Sequence, residues 1–322
     1  ILIIYTARWQ RALDDLRQLI LEERFLVNDE LNSYLLERHE PTELLRMRTI
    51  FLRLCQSVRN CDIVPPFIQY ESRHMVALRY GVSTCVIYKN LSTIMTAIMC
   101  YLYNTLLYRQ RVVDMTRDTY SVRFCKGKNE YGSIRALRPF RNQTSGKDIS
   151  WLNIIVTRDP LERFISGFIN KCLREKDREE VCYNCGNNIQ CVMERQYERL
   201  MGVSQTPSLH HTVEDSHFAP QTWHCELRSN LRRYKLIKYS GSNITLMMNE
   251  LDLELRKRGV PNDILQDIRS QVLRKRTTHE TYNSHERVLY ENQLRSSPYL
   301  MKLLVKMFYY DYLTFGYSLP NI

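Results

Sequence analysis

Two junctions between an apolar strand-like run and a helix carry residue types that hold anions. In CVIYKNLSTIMTAIMCYL, Cys85 to Leu102, the polar turn Lys89-Asn90-Leu91-Ser92-Thr93 leads into an apolar helical stretch. A helix N-terminus offers unpaired backbone N–H groups and the positive end of the peptide dipoles, and a lysine and two hydroxyls add donors. The same residues also suit a plain Ser/Thr cap beside a surface lysine. In VTRDPLERFISGF, residues 156 to 168, Arg158 stands at a strand end and Ser166 lies about two helical turns further on. A guanidinium fork and a hydroxyl at that spacing suit one phosphate group. The plain alternative is an Arg–Asp surface pair and an unremarkable helix serine.

The elements around these turns decide whether they meet. Val82 to Tyr88, Trp151 to Thr157 and Tyr234 to Tyr239 read as strands. Helices are expected at Ile94 to Leu107, Leu161 to Cys172 and Leu246 to Lys257, the second with Asp159 as cap and Pro160 in its first turn. Strand–helix units in series predict an α/β fold, a central parallel sheet flanked by helices. Adjacent parallel strands would bring both turns to the carboxyl edge, where such sheets bind ligands. The GxxxxGK[ST] pattern is missing, so an ordinary ATP or GTP loop is not supported.

Residues from about 8 to 60 show apolar residues at helical spacing and end at Pro65-Pro66, and Asp263 to Leu313 is mostly helical with an aromatic end, FYYDYLTFGY. We therefore divide the chain into a helical N-terminal region, 1–78, and a main domain, 79–322. The first residues, ILIIY, suit either a first strand or the stump of a removed anchor, and no run of 18 apolar residues occurs.

The 322 residues carry 46 Lys and Arg against 35 Asp and Glu, a formal charge of +11. A basic surface favours polyanions: nucleic acid, anionic lipid or acidic polysaccharide. No zinc-finger spacing, basic heptad or paired aromatic RNA motif occurs, so nucleic acid is not an expected partner. Arg109, Arg111, Arg117, Arg123, Lys126 and Lys128 crowd the polar stretch 108 to 150, a solvated loop or a rim for an acidic chain.

There are ten cysteines. Cys182, Cys185 and Cys191 are clustered, and zinc with Cys225, His210 or His211 is one reading. Disulfides in a secretory compartment fit the even count better, with Cys85 and Cys100 as candidate buried thiols. Glycosylation sequons stand at Asn142, Asn243 and Asn90, and the last is expected to stay bare because a glycan there would block the anion site.

With both turns in place, the chain resembles the Golgi carbohydrate sulfotransferases that use 3′-phosphoadenosine 5′-phosphosulfate (PAPS), and within them the branch of chondroitin 4-O-sulfotransferases and related nematode proteins. The resemblance rests on CVIYKNLST, 85 to 93, RDPLERFISGF, 158 to 168, DSHFAPQTWHC, 215 to 225, and DYLTFGY, 311 to 317, and spans residues 80 to 317. The first loop differs from the PKVGxT form of vertebrate relatives but keeps the lysine and hydroxyls. The resemblance implies a P-loop-like sulfotransferase fold, PAPS as donor with no metal, and transfer of a sulfonyl group to a sugar hydroxyl of an acidic, chondroitin-type polysaccharide. It implies that Lys89, Asn90, Leu91, Ser92 and Thr93 hold the 5′-phosphosulfate, with Lys89 on the leaving oxygen, and that Arg158 and Ser166 hold the 3′-phosphate. It also implies a Golgi lumenal setting, reached as a type II membrane protein whose N-terminal anchor is not in this chain.

Such a transfer needs a base for the acceptor hydroxyl, and histidine suits it. His217 in DSHFAPQ is the first candidate and His279 in RKRTTHETYNS the second. The basic, hydroxyl-rich stretch around His279 suits closure over a nucleotide or a solvated loop. A silent polysaccharide-binding protein that keeps the fold is the alternative function, and an atypical nucleotide kinase a third.

Overall fold

A computed structural model describes residues 29–55, 61–112, 114–118, 122–143, 151–175, 180–206, 209–274 and 284–322. His279, the stretch 275 to 283, the sequon threonine Thr144 and the ILIIY start lie outside the described residues. The elements in order are α1 (Asp29–Leu36), α2 (Pro41–Leu54), β1 (His74–Ala77), β2 (Val82–Cys85), α3 (Ser92–Tyr103), α4 (Thr105–Arg111), β3 (Glu130–Tyr131), α5 (Arg138–Gln143), β4 (Leu152–Arg158), α6 (Pro160–Phe168), α7 (Ile189–Gln205), α8 (Val213–Phe218), α9 (Leu227–Asn230), β5 (Tyr234–Tyr239), α10 (Ile244–Lys257), α11 (Asn262–Arg274), α12 (His285–Ser296) and α13 (Pro298–Phe315).

The strands form one sheet in the order β3-β1-β2-β4-β5. β2, β4 and β5 are parallel, as expected, and β1 and β3 add an antiparallel edge that the sequence reading lacked. The side chains of β4 alternate between two cores. Ile155 enters one with α6, α7 and α13, whereas Ile154 and Val156 enter the other with α3, α10 and α11. The first core also takes in α1 and α2, through Leu31, Tyr34, Leu44, Met47 and Phe51.

This layering places the site. β2 and β4 are neighbours, yet the helix after β2 packs on one face and the helix after β4 on the other. The two chains part at the carboxyl edge, where open α/β sheets place their ligand crevice.

Two expected elements differ in extent. β2 stops at Cys85 because the chain turns at once toward Lys89, and the expected helix to Leu107 is two helices broken at Asn104, whose side chain caps the second through Leu107 N.

All ten cysteines are paired: Cys55–Cys61, Cys85–Cys225, Cys100–Cys125, Cys172–Cys182 and Cys185–Cys191. Cys85 and Cys100 are thus not thiols, and the cysteines of the zinc reading are consumed in disulfides. No helix among the described residues is long and apolar enough to cross a membrane.

Cys85–Cys225 closes 140 residues and ties the end of β2 to the segment after α8. Replacing both cysteines by alanine is expected to cost about 2–5 kcal/mol, read as a lower urea midpoint under non-reducing conditions. An unchanged midpoint would show that packing alone holds the two segments together.

Candidate active site

The turn after β2 is held in a conformation it would not choose. Lys89 and Leu91 both have positive φ, at 69° and 60°, in the left-handed region that costs a side-chain-bearing residue about 1–3 kcal/mol. Polar ties fix it from three directions. Arg163 Nε donates to the Tyr88 carbonyl (3.1 Å) and its Nη1 to that of Ala219 (2.7 Å). Arg158 Nη1 donates to the Lys89 carbonyl at 3.0 Å. Asn90 is buried and turned inward, its Nδ2 donating to the Val156 carbonyl (2.9 Å) and to Gln221 Oε1 (2.5 Å). The buried amide explains why this sequon cannot take a glycan as the chain stands here.

The left-handed Leu91 opens α3 without a side-chain cap, and among the described residues no side chain pairs the backbone N–H groups of the first turn. Ser92 and Thr93 stand there with no side-chain hydrogen bond among the described residues. The cap reading is therefore set aside, since neither hydroxyl closes its own helix.

Across the crevice, Arg158 is the last residue of β4. Asp159 caps α6 by accepting from Glu162 N (3.0 Å), with Pro160 in the first turn. The Arg158 guanidinium donates to Glu162 (3.3 Å) and lies 5.1 Å from the Tyr239 ring centre. Burial works against the Glu162 charge, but Arg158, the Ser240 hydroxyl and Arg287 outweigh it and hold this carboxyl below its ordinary range. Ser166 lies two turns along α6, buried, with no side-chain hydrogen bond among the described residues.

Lys89 is half-buried and its Nζ donates to Asn170, four residues past Ser166 on the π-helical continuation Ile169–Arg174. Burial first, then the charges of Lys171 and Arg158, push the ammonium well below its ordinary pKa. His217 lies in the same neighbourhood. α8 packs closely on α6 because Gly167 faces Phe218, where a Cβ would come within 2.7 Å of the ring. His217 Nδ1 is 2.7 Å from the Val213 carbonyl, which only accepts, so Nδ1 carries the proton and Nε2 keeps its lone pair. Burial, then Lys89 and Lys171, hold the imidazole neutral, well below its ordinary pKa. Asp215 does not orient it; that carboxylate accepts from Arg199 (2.7 Å) and closes the cap with Thr212.

The structure thus brings Lys89, the α3 N-terminus, Arg158, Ser166 and His217 to one edge. Four residues missed in the sequence hold them there: Arg163, Asn170, Gln221 and Asp311. Gln221 Oε1 accepts from Asn90 Nδ2 and from Arg158 N (3.0 Å), and its Nε2 donates to Arg158 O (2.8 Å). Asp311 in turn accepts from the backbone N–H groups of Gln221 (2.7 Å) and Thr222 (2.9 Å). Gln221 and Asp311 stand inside APQTW and DYLTFGY, so the signal was present but its role was not. The arginines of 108 to 150 are in part committed elsewhere: Arg109 to Asp267 (3.2 Å) and Arg123 to Glu130.

This edge belongs to a known kind of enzyme. A model of the sulfotransferase family matches residues 72–318, and the chain belongs to that family. A Caenorhabditis elegans protein named "Putative sulfotransferase vep-2" is 39% identical over 232 residues, 71% of this chain and 70% of that protein. The Caenorhabditis elegans protein named carbohydrate sulfotransferase chst-1 is 32% identical over 268 residues, 80% of this chain and 79% of its own. No solved structure matches the chain.

Gln221→Leu keeps much of the volume but orphans the buried Asn90 and Arg158 groups. It is expected to lower unfolding free energy by about 3–9 kcal/mol in urea titration, roughly one desolvation penalty of 1–3 kcal/mol for each of the three orphaned groups. A loss under 1 kcal/mol would mean that water replaces the amide.

Proposed function

We propose that this sulfotransferase takes its sulfonyl group from PAPS and transfers it to a sugar hydroxyl of a chondroitin-type glycosaminoglycan. One observation carries the reading. A single crevice joins an uncapped helix N-terminus with a lysine, an arginine–serine pair eight residues apart, and a neutral histidine with a bare Nε2. The backbone N–H groups of Leu91 to Thr93 and the hydroxyls of Ser92 and Thr93 suit the 5′-phosphate, and Arg158 and Ser166 suit the 3′-phosphate that marks this donor. Asn90 acts through the loop, since its amide is spent on the fold. The name of the chst-1 relative supports a carbohydrate acceptor. The +11 charge suits a polyanionic one. Five disulfides support an oxidising lumen, and we place the protein in the Golgi as a lumenal, membrane-anchored enzyme.

In the proposed reaction the acceptor oxygen forms a bond to sulfur as the bond from sulfur to the phosphate oxygen breaks. His217 Nε2 takes the hydroxyl proton. The Lys89 ammonium neutralises the charge that gathers on the departing oxygen. Because the charge is spread over the transferring group, most of the work is positioning, as in phosphoryl transfer.

Calorimetry with 3′-phosphoadenosine 5′-phosphate tests the donor site. Wild type is expected to bind it and to reject 5′-AMP, and Arg158→Ala to lose most of that preference. Failure of folded wild type to bind would sink the enzyme reading and leave a polyanion-binding module. Lys89→Ala is expected to lower kcat by about 10²–10³-fold and His217→Ala by about 10²–10⁴-fold.

The pH profile follows from His217. Its pKa is depressed, so the base form persists well below pH 6.5 and activity should fall only at lower pH, as Nε2 gains a proton. The same sign makes stability drop as pH falls below about 6.5, because the unfolded chain then binds a proton that the folded one refuses. An acid limb of kcat/KM near pH 6.5 or above would remove His217 as the base.

A further inference from the structure

We propose that Arg73 and Lys171 form a subsite for the carboxylate of an acidic sugar, beside His217. This rests on the proposed acceptor site and says which residues would read its charge. β1 runs antiparallel to β2 with His74 opposite Cys85, so Arg73, just before β1, arrives at the same edge as the Lys89 turn. Val86 N donates to the Arg73 carbonyl at 2.9 Å and locks that register.

Among the partners of the Arg73 side chain are one aromatic residue and one exposed carboxylate. Its Nη2 donates to Tyr88 Oη at 2.9 Å, and the Tyr88 ring lies 4.7 Å from that of His217. Its carboxylate partner Glu71 is 2.7 Å away but 42% exposed. The Arg73 side chain itself is 15% exposed, so a substrate carboxylate that reaches the fork would take the place of Glu71 there. Tyr88 would keep the planar fork in place, and a fork meets a carboxylate through two bonds. On the π-helical turn, Lys171 follows Asn170, the partner of Lys89, and its charge acts on both Lys89 and His217. Lys171 pairs with Glu175 at 2.6 Å, both side chains being partly buried. By contrast Arg123, within the basic stretch first considered for this role, is 4% exposed and bound to Glu130.

The test is calorimetric titration with an unsulfated chondroitin hexasaccharide and its carboxyl-reduced counterpart, with and without saturating 3′-phosphoadenosine 5′-phosphate. Wild type is expected to bind the acidic sugar roughly tenfold or more tightly, the scale of one charge-assisted contact. Arg73→Gln should remove most of that difference and Lys171→Gln part of it. Affinity for the reduced sugar should stay within about twofold, with thermal unfolding confirming the fold. The proposal is overturned if wild type does not discriminate, if both variants keep the discrimination, or if a variant weakens both sugars equally. If 3′-phosphoadenosine 5′-phosphate fails to bind, the donor reading falls, and the titration of the nucleotide-free protein still decides the subsite.

Discussion

One buried carboxamide holds the two halves of the site in register. Gln221 uses both lone pairs of its oxygen, on Asn90 Nδ2 and Arg158 N, and one N–H on Arg158 O. No other side-chain type meets that pattern at that length. A glutamate would set a carboxylate oxygen against the Arg158 carbonyl, and a leucine would leave all three groups dry. The turn that carries Gln221 is fixed in its own right, by the two backbone bonds to Asp311 and by Cys225, four residues on, in disulfide with Cys85. The end of β2, the end of β4 and α13 thus converge on five residues of chain.

That convergence explains how the turn can carry two left-handed, side-chain-bearing residues. Each costs energy, and each persists because the carbonyls of Tyr88 and Lys89 are claimed by Arg163 and Arg158, and the Asn90 amide by β4 and Gln221. The strain has a product. It turns the α3 N-terminus toward the crevice without a cap and leaves its hydroxyls uncommitted. A sequence with a good capping residue at 91 would make a more stable helix and a poorer anion site.

Much of this was legible before the fold was known. Strands β2, β4 and β5 follow from apolar runs bounded by turns, and α6 from Asp159 and Pro160 at its start. Lys89, Arg158 and Ser166 stand out in the sequence because their spacing is local: each pair of element and turn lies within one short segment. What escaped is non-local. β1 and β3 have four and two residues, too short for a period-two signal, and their pairing is set by neighbours rather than by their own sequence. Cys85 sits in an apolar run and reads as a thiol until the segment 140 residues away is seen against it. Arg73 carries no motif, and Gln221 stands within DSHFAPQTWHC without its role being readable there, because both roles are defined by what lies across the crevice.

The electrostatics of the edge then give the site its direction. Burial first, and then the neighbouring cations, weighs against the charges of Lys89 and Arg163. The histidine among them is neutral for that reason, and Lys89 holds its proton less firmly than a solvated lysine. A polyanion reverses the second effect more than the first. Placed on the α3 N-terminus, it would restore the Lys89 ammonium by direct contact. His217, buried on α8 with its Nδ1 proton fixed by a carbonyl, would still present Nε2 as an acceptor. On the proposed reading, donor binding itself therefore sorts the two groups into acid and base, and the cation crowding that works against charge at this edge is what makes that sorting possible.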